Sequence, residues 1–271
     1  MNIDWFITNR CDQAAFCRFC YAPWNFFPKD VSREKALVVA DRLAEIGTKT
    51  VTICGGEPFM YPHLDAIVER LYEHGLNVVL YTSGTSRCFD IRTFLPFIQF
   101  LSLPIDAVSD RAIEHMRGQH QFDGVAAILA TLKTSAWRPK IKIGTVVTSQ
   151  NINDLPAICD FLERTGIVDV WRLYQFSPYG IGARHAKRFL LPTEEFEAAV
   201  SSLKARGTIR IAERSSEDTI GYCKIVDSSG SFYRYAERYI PIGVTIFDDP
   251  KVIESRYDKL KHDEQKSWLH Y

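Results

Sequence analysis

The 271-residue chain has no excess charge of either sign, with 33 Lys and Arg against 33 Asp and Glu. A balanced surface gives broad nucleic-acid or membrane-surface binding no electrostatic footing, so neither partner is expected. Long apolar runs are also missing, and no membrane-spanning helix is expected. The opening residues MNIDWFITNR carry Asp4 and no long apolar stretch, unlike a signal peptide. A cytoplasmic protein is expected. Low-complexity tracts, short repeats and coiled-coil heptads are absent too. Cysteine is sparse and odd in number, at seven, so a disulfide framework is not expected. Three of the seven, Cys11, Cys17 and Cys20, crowd into ten residues. Cys54, Cys88, Cys159 and Cys223 stand alone.

What is present is an alternation of strand-like and helix-like segments. Ile3 to Ile7 is short and apolar, like a strand covered on both faces. Ser32 caps a helix over Arg33 to Ile46, which Gly47 ends. Further strands are expected at Thr50 to Cys54, Asn77 to Thr82, Phe100 to Ile105, Lys140 to Thr148 and Asp169 to Phe176. Helices are expected between them at His63 to His74, Ile91 to Phe97, Asp123 to Ser135 and Asp154 to Arg164. Six strands separated by helices predict an α/β fold of parallel units over residues 1–190, because parallel neighbours need helical crossovers. Such a sheet curls into a full or partial barrel, with ligands at the C-terminal ends of its strands. Residues 191–271 are expected to be a C-terminal extension packed on the barrel. They comprise a helix over Thr193 to Arg206, a segment at Thr208 to Ala212, and a hairpin of Tyr222 to Asp227 with Phe232 to Tyr235.

The run Cys11-x5-Cys17-x2-Cys20 follows the first strand, in a loop at 8–28 that also holds Pro23 and Pro28. A Cys-x2-Cys pair brings two thiolates onto one ion or cluster, and a third cysteine completes three ligands. Three thiolates on a [4Fe–4S] cube leave one iron open to an outside ligand. Structural zinc is the alternative, but it wants four protein ligands, and after Cys20 no Cys or His occurs before Cys54 and His63. Buried core thiols are the other alternative, although cores rarely crowd three into a polar loop. At the end of the second strand stands Gly55-Gly56-Glu57-Pro58. Two glycines let a ligand approach the backbone, and the carboxylate accepts bonds from an amine. On its own, that run reads as a strand-to-helix turn with an acidic cap.

Together the cysteine loop, Tyr21 after the third cysteine and GGEP after the second strand resemble the radical S-adenosylmethionine (SAM) superfamily. The resemblance implies a partial (β/α)6 barrel in which Cys11, Cys17 and Cys20 hold a [4Fe–4S] cluster. Its open iron binds the amine and carboxylate of SAM, and reductive cleavage yields a 5′-deoxyadenosyl radical that takes a hydrogen from substrate. It further implies that Tyr21, Val146 and Tyr174 meet the adenine and that Gly55, Gly56, Glu57 and Pro58 meet the methionine amine. Ser83 and Ser102 fall near the SAM ribose or carboxylate, and Arg117 in the MRGQ run meets the carboxylate. An electron donor such as a flavodoxin or ferredoxin is implied as partner. Most of the superfamily has three residues between the first two cysteines; this chain has five.

Beyond these motifs the chain resembles the viperins, which convert a nucleoside triphosphate to its 3′-deoxy-3′,4′-didehydro form. IDAVSDRAIEHMRG, IKIGTVVTSQNIND, VWRLYQF and FLLPTEEFE carry the likeness. It implies that Lys142 and Arg172 bind the phosphates of a nucleotide. Lys142 also alternates with Ile141 and Ile143, so it faces away from them, where an inward lysine needs an anion. Where some viperins have an Arg, this chain has Val170, and the loop SPYGIGARHAKR differs from theirs. Its Arg184 and Lys187, after Gly180 and Gly182, suggest a basic lid over a phosphorylated substrate. Solvated surface charge is the ordinary fate of such residues. Two alternatives stand beside the nucleotide: a nucleoside or other small metabolite of natural-product assembly, and an Fe–S or zinc binding module without catalysis.

Overall fold

A computed structural model describes residues 1–22, 30–85, 90–109, 114, 116–117, 121–207, 209–219, 225–235 and 239–258. Cys88, Cys223, Tyr222, Pro23, Pro28, and Gly118 and Gln119 of the MRGQ run lie outside the described residues.

The expected strands form, at β1 (Asn2–Thr8), β2 (Thr50–Gly55), β3 (Asn77–Tyr81), β4 (Phe100–Pro104), β5 (Lys140–Val147) and β6 (Val170–Gln175). Each pairs in parallel with the next in chain order. The described crossover helices are α1 (Arg33–Glu45), α2 (Leu64–Glu73), α3 (Gln121–Lys133) and α4 (Leu155–Thr165). Their ends follow local chemistry. Ser32 accepts from the Lys35 N–H at 3.4 Å, and Gly166 closes α4 in the left-handed region at φ 72°.

Past β6 the chain makes α5 (Ala186–Phe189) and α6 (Thr193–Arg206). It then extends the sheet at both edges. A seventh parallel strand, β7 (Ile211–Arg214), pairs with β6, one more than the six expected. At the other edge β8 (Ile225–Val226) lies parallel to β1, and β9 (Ser231–Tyr235) and β10 (Tyr239–Thr245) follow antiparallel, before α7 (Pro250–Asp258). The order across the ten strands is β10-β9-β8-β1-β2-β3-β4-β5-β6-β7. The helix expected over Ile91 to Phe97 is a single 3-10 turn, Ile91–Thr93, because Pro96 disfavours helical backbone at Leu95. No helix among the described residues is long and apolar enough to cross a membrane.

The two faces of the sheet have opposite characters, and this positions the site. One face carries Ile3, Trp5, Ile53, Leu80, Leu101, Ile141, Ile143, Trp171 and Leu173, all in the main core under the helices. Alternation sends Asp4, Phe6, Thr8, Cys54, Tyr81, Ser102, Lys142, Arg172, Tyr174 and Arg214 to the other face. The first face is apolar, whereas the second mixes apolar Phe6, Val146 and Val170 with hydroxyls, the Cys54 thiol, the Asp4 carboxylate and three cations.

Candidate functional site

The cysteine loop is anchored at its base by backbone alone. Gly55 holds φ 140°, and a Cβ there would lie 2.4 Å from the Thr8 carbonyl oxygen. Only glycine lets the ends of β1 and β2 come this close. Two hydrogen bonds then join the segments: Gly56 N–H to the Thr8 carbonyl and Glu57 N–H to the Arg10 carbonyl, both 2.8 Å. Cys11 is the next residue, so the first thiol starts beside the GGEP turn. Asp30 accepts from the Thr8 hydroxyl at 2.6 Å and from the Arg10 guanidinium at 2.8 Å, pinning both ends of the loop.

Three further contacts fix the loop's path. Asp12 accepts from Thr85 of the TSGT segment at 2.8 Å. Arg18 N–H donates to the Met116 carbonyl at 3.1 Å, and the Arg117 guanidinium stacks 4.7 Å from the Phe19 ring centre. The segment after β6 closes the far side. Gly182 N–H donates to the Cys20 carbonyl at 3.0 Å, and a Cβ on Gly180 (φ 55°) would meet the Tyr21 carbonyl oxygen at 2.4 Å. Gly180 and Gly182, which precede the basic segment, thus serve close backbone approach to the cysteine loop.

A cavity of about 270 Å³ opens at the C-terminal ends of the strands. Its wall includes Cys11, Cys17 and Cys20, then Tyr21, Gly55 to Pro58, Ser83, Ser102, Arg117, Val146 and Tyr174. Every thiol and every SAM-contacting residue expected from the sequence therefore meets in one space. Cys20 donates to Cys17, which lowers the Cys17 thiol and raises that of Cys20; Arg117 lowers Cys17 further. Burial pushes the Cys11 thiol up to about 12, with the Glu57 and Asp12 charges adding to it. The donor set fits an iron–sulfur cluster: three thiols of one anchored loop bordering a cavity that can admit the open iron's ligand. No three His, Cys, Asp or Glu side chains among the described residues converge to hold a single metal ion.

Glu57 is 1% exposed. Its carboxylate accepts from Ser83 N–H (2.6 Å), the Thr82 hydroxyl (2.8 Å) and Phe59 N–H (3.3 Å). Burial raises its pKa against these bonds, so a cationic neighbour would favour its ionised form. Arg117 pairs with Asp106, which is fully buried and also accepts from Val146 N–H at 2.6 Å. Asp106 thereby ties Arg117, stacked on Phe19 of the cysteine loop, to β5. Removing one partner of such a buried pair costs about 3–5 kcal/mol.

Of the substrate residues, Lys142 and Arg172 lie on the cavity-side face of β5 and β6, and neither lines the cavity itself. Lys142 is 1% exposed and donates to the Tyr81 hydroxyl, its ammonium 4.1 Å from the Tyr81 ring centre. Arg172 stacks 6.0 Å from the Tyr174 ring centre. Arg184 and Lys187 are exposed, on the turn Gly182–His185 and α5, away from the cavity lining. The sequence reading missed Gln13, Asp106, Gln175 and Arg214. Gln13 and Gln175 line the cavity, and the buried Gln13 side-chain oxygen has no hydrogen-bond partner among the described residues, leaving an acceptor for a bound molecule.

A family model described as the radical SAM superfamily matches residues 5–162, from β1 into α4. The chain is 24% identical over 251 residues to the S-adenosylmethionine-dependent nucleotide dehydratase of Flammeovirga pacifica, covering 84% of this chain and 83% of that protein. It is 26% identical over 169 residues to the Fe-coproporphyrin III synthase of Methanosarcina barkeri. That match covers 61% of this chain and only 41% of the synthase. The solved structure of native anSMEcpe with bound AdoMet shares the fold, with TM-score 0.68 at 15% identity over 98% of this chain and 81% of that one.

The Gly180 contact is testable. Gly180→Ala adds left-handed strain of about 1–2 kcal/mol plus the clash with Tyr21. The variant is expected to melt lower and to retain less iron after reconstitution. Iron retention equal to the parent's would contradict the close-approach role. The matched segment contains the cysteine loop, the GGEP turn and most of β1 with all of β2 to β5, and the chain belongs to the radical SAM superfamily.

Proposed function

We propose that the chain is a viperin-like enzyme that abstracts a hydrogen from the ribose of a nucleotide, a nucleoside triphosphate or a related one. The supporting observation is the shared cavity face, with thiols and the GGEP turn at the strand ends and the cations of β5 and β6 beneath them. The likeness to a nucleotide dehydratase over most of both chains supports the same reading.

Cys11, Cys17 and Cys20 would hold a [4Fe–4S] cluster. When bound, the cluster and SAM would supply a 5′-deoxyadenosyl radical, given an electron from a flavodoxin- or ferredoxin-type donor in the cytoplasm. Glu57, set by Thr82 and Ser83, would accept the methionine amine beside Gly55, Gly56 and Pro58. Arg117 would meet the carboxylate, held in place by Asp106. Tyr21, Val146 and Tyr174 would enclose the adenine, and Ser83 and Ser102 would face the ribose. Lys142 and Arg172 would bind phosphate oxygens, which also draw the sugar toward the cluster wall. Arg184 and Lys187 would meet substrate only at the mouth. A nucleoside or other small metabolite is the second reading, favoured by the apolar Val170 on β6.

Protein reconstituted anaerobically is incubated with SAM, dithionite and a panel of nucleosides and their mono-, di- and triphosphates, and 5′-deoxyadenosine is measured by mass spectrometry. One nucleotide is expected to raise the yield strongly, and Cys17→Ala to abolish it. A slow yield that no nucleotide stimulates sinks the nucleotide reading.

A proton-linked effect follows from Lys142. Burial, and then the Arg172 charge, hold its pKa well below the usual lysine range. Docked phosphate would raise it again, so binding should take up protons at a pH between the free and bound values. In the free protein the same depression makes stability rise with pH across the window between the folded and unfolded values. Calorimetry of nucleotide binding in two buffers of different ionisation enthalpy should show net uptake that Lys142→Met removes. Proton release, or no exchange in the parent, would contradict it.

A further inference from the structure

Three consecutive parallel strands each present one cation on the cavity-side face: Lys142 on β5, Arg172 on β6 and Arg214 on β7. Their register is staggered. Lys142 pairs with Val170; Gly144 pairs with Arg172, itself opposite Ala212; Val146 pairs with Tyr174, itself opposite Arg214. Each cation therefore stands two residues further along its strand than the last, a rise of about 6.6 Å per step toward the C-terminal ends. The result is a diagonal staircase running from the buried Lys142 up to the cavity, where Arg214 forms part of the wall.

The top step is built in. Arg214 is only 6% exposed, and its guanidinium donates to the Asp218 carbonyl at 3.0 Å. On the same strand, Glu213 is exposed and pairs with Lys204 at 2.7 Å, and the Asp218 carboxylate accepts from Ser215 N–H at 3.3 Å. Lys142 feels the repulsion of both arginines, offset by Asp4. Cys54 adds no lasting charge there, since burial keeps its thiol well above the usual range. Three cations aligned on one face, with Lys142 and Arg214 buried, favour a ligand of several negative charges. Their diagonal line suits an extended polyanion better than a single phosphate.

The geometry points to Arg214 as the outer phosphate-binding residue of this chain, setting its preference for a di- or triphosphate over a monophosphate or nucleoside. It would supply from β7 the cation that Val170 does not supply from β6. The inference rests on the nucleotide reading for the identity of the substrate, and on the staircase alone for polyanion binding.

The test uses reconstituted full-length protein, with inorganic tripolyphosphate, orthophosphate and the nucleotide panel as probes. Arg214→Met keeps most of the side-chain volume and removes the charge; Arg214→Lys keeps the charge without the planar fork. Tripolyphosphate should bind Arg214→Met at least tenfold more weakly than the parent, orthophosphate should change less than about threefold, and Arg214→Lys should recover part of the loss. With nucleotides, KM for the triphosphate should rise while KM for the monophosphate barely moves. Equal weakening toward all probes, unchanged tripolyphosphate binding, or a parent that binds no tripolyphosphate would overturn the inference. Tenfold weaker tripolyphosphate binding in a protein whose SAM cleavage no nucleotide stimulates would uphold Arg214 and remove the nucleotide reading. Nucleotide-stimulated cleavage with an unchanged KM in Arg214→Met would do the reverse.

Discussion

The close approach of the Thr8 carbonyl to Gly55 holds the rest of the site in place. A side chain at position 55 would push the ends of β1 and β2 apart, because its Cβ would overlap the Thr8 oxygen. With glycine there, Gly56 and Glu57 donate across the gap to Thr8 and Arg10, and the chain enters the cysteine loop one residue later. The thiols and the GGEP turn are therefore neighbours by backbone construction. The exposed Arg10–Asp30 ion pair adds only about 0–1 kcal/mol to this backbone contact.

From that contact the site grows outward through buried polar groups, each held by partners on a different strand. Glu57 on the β2 turn is held by Thr82 and Ser83 after β3. Asp106 after β4 holds Arg117 and the backbone of β5. Arg117 in turn lies near Cys17 and Cys20. Such networks are costly when partly satisfied and rigid when fully satisfied. They suit a cavity that must present a cluster and a small molecule to each other without water-exposed slack. The opposite face of the same strands is apolar and packs under the helices, so rigidity comes from the core and chemistry from the cavity face.

The parallel βα order, most strand and helix limits, and the cysteine loop beside the GGEP turn were legible because they depend on local signals: apolar runs, caps, glycines and close cysteine spacing. Tyr21, Ser83, Ser102, Arg117, Val146 and Tyr174 were singled out by the family resemblance alone, and they line the same cavity as the thiols. Lys142 could be placed on the cavity face because it alternates with Ile141 and Ile143. Arg214 was not legible. Its strand is four residues with little apolar content, IAER, and its limits come from pairing with β6 rather than from propensity. The segment was read as ending at Ala212, which left Arg214 outside it. Asp106 was missed because its partner Arg117 lies beyond the strand, and the pairing is tertiary. Gly180 and Gly182 precede the segment whose Arg184 and Lys187 suggest a basic lid. A glycine's sequence signal is the same for mobility and for close approach, and only the position of the Tyr21 and Cys20 carbonyls separates them.

By the proposed reading, Cys11, Cys17 and Cys20 would hold a cluster beside the GGEP turn, and SAM would bind to it. This reading is tested most directly by metal analysis and electron paramagnetic resonance of the reduced, reconstituted protein with and without SAM. The expected result is about four irons per chain and a reduced-cluster signal that changes shape on adding SAM and is lost in Cys17→Ala. One zinc per chain, or a cluster signal indifferent to SAM, would contradict it.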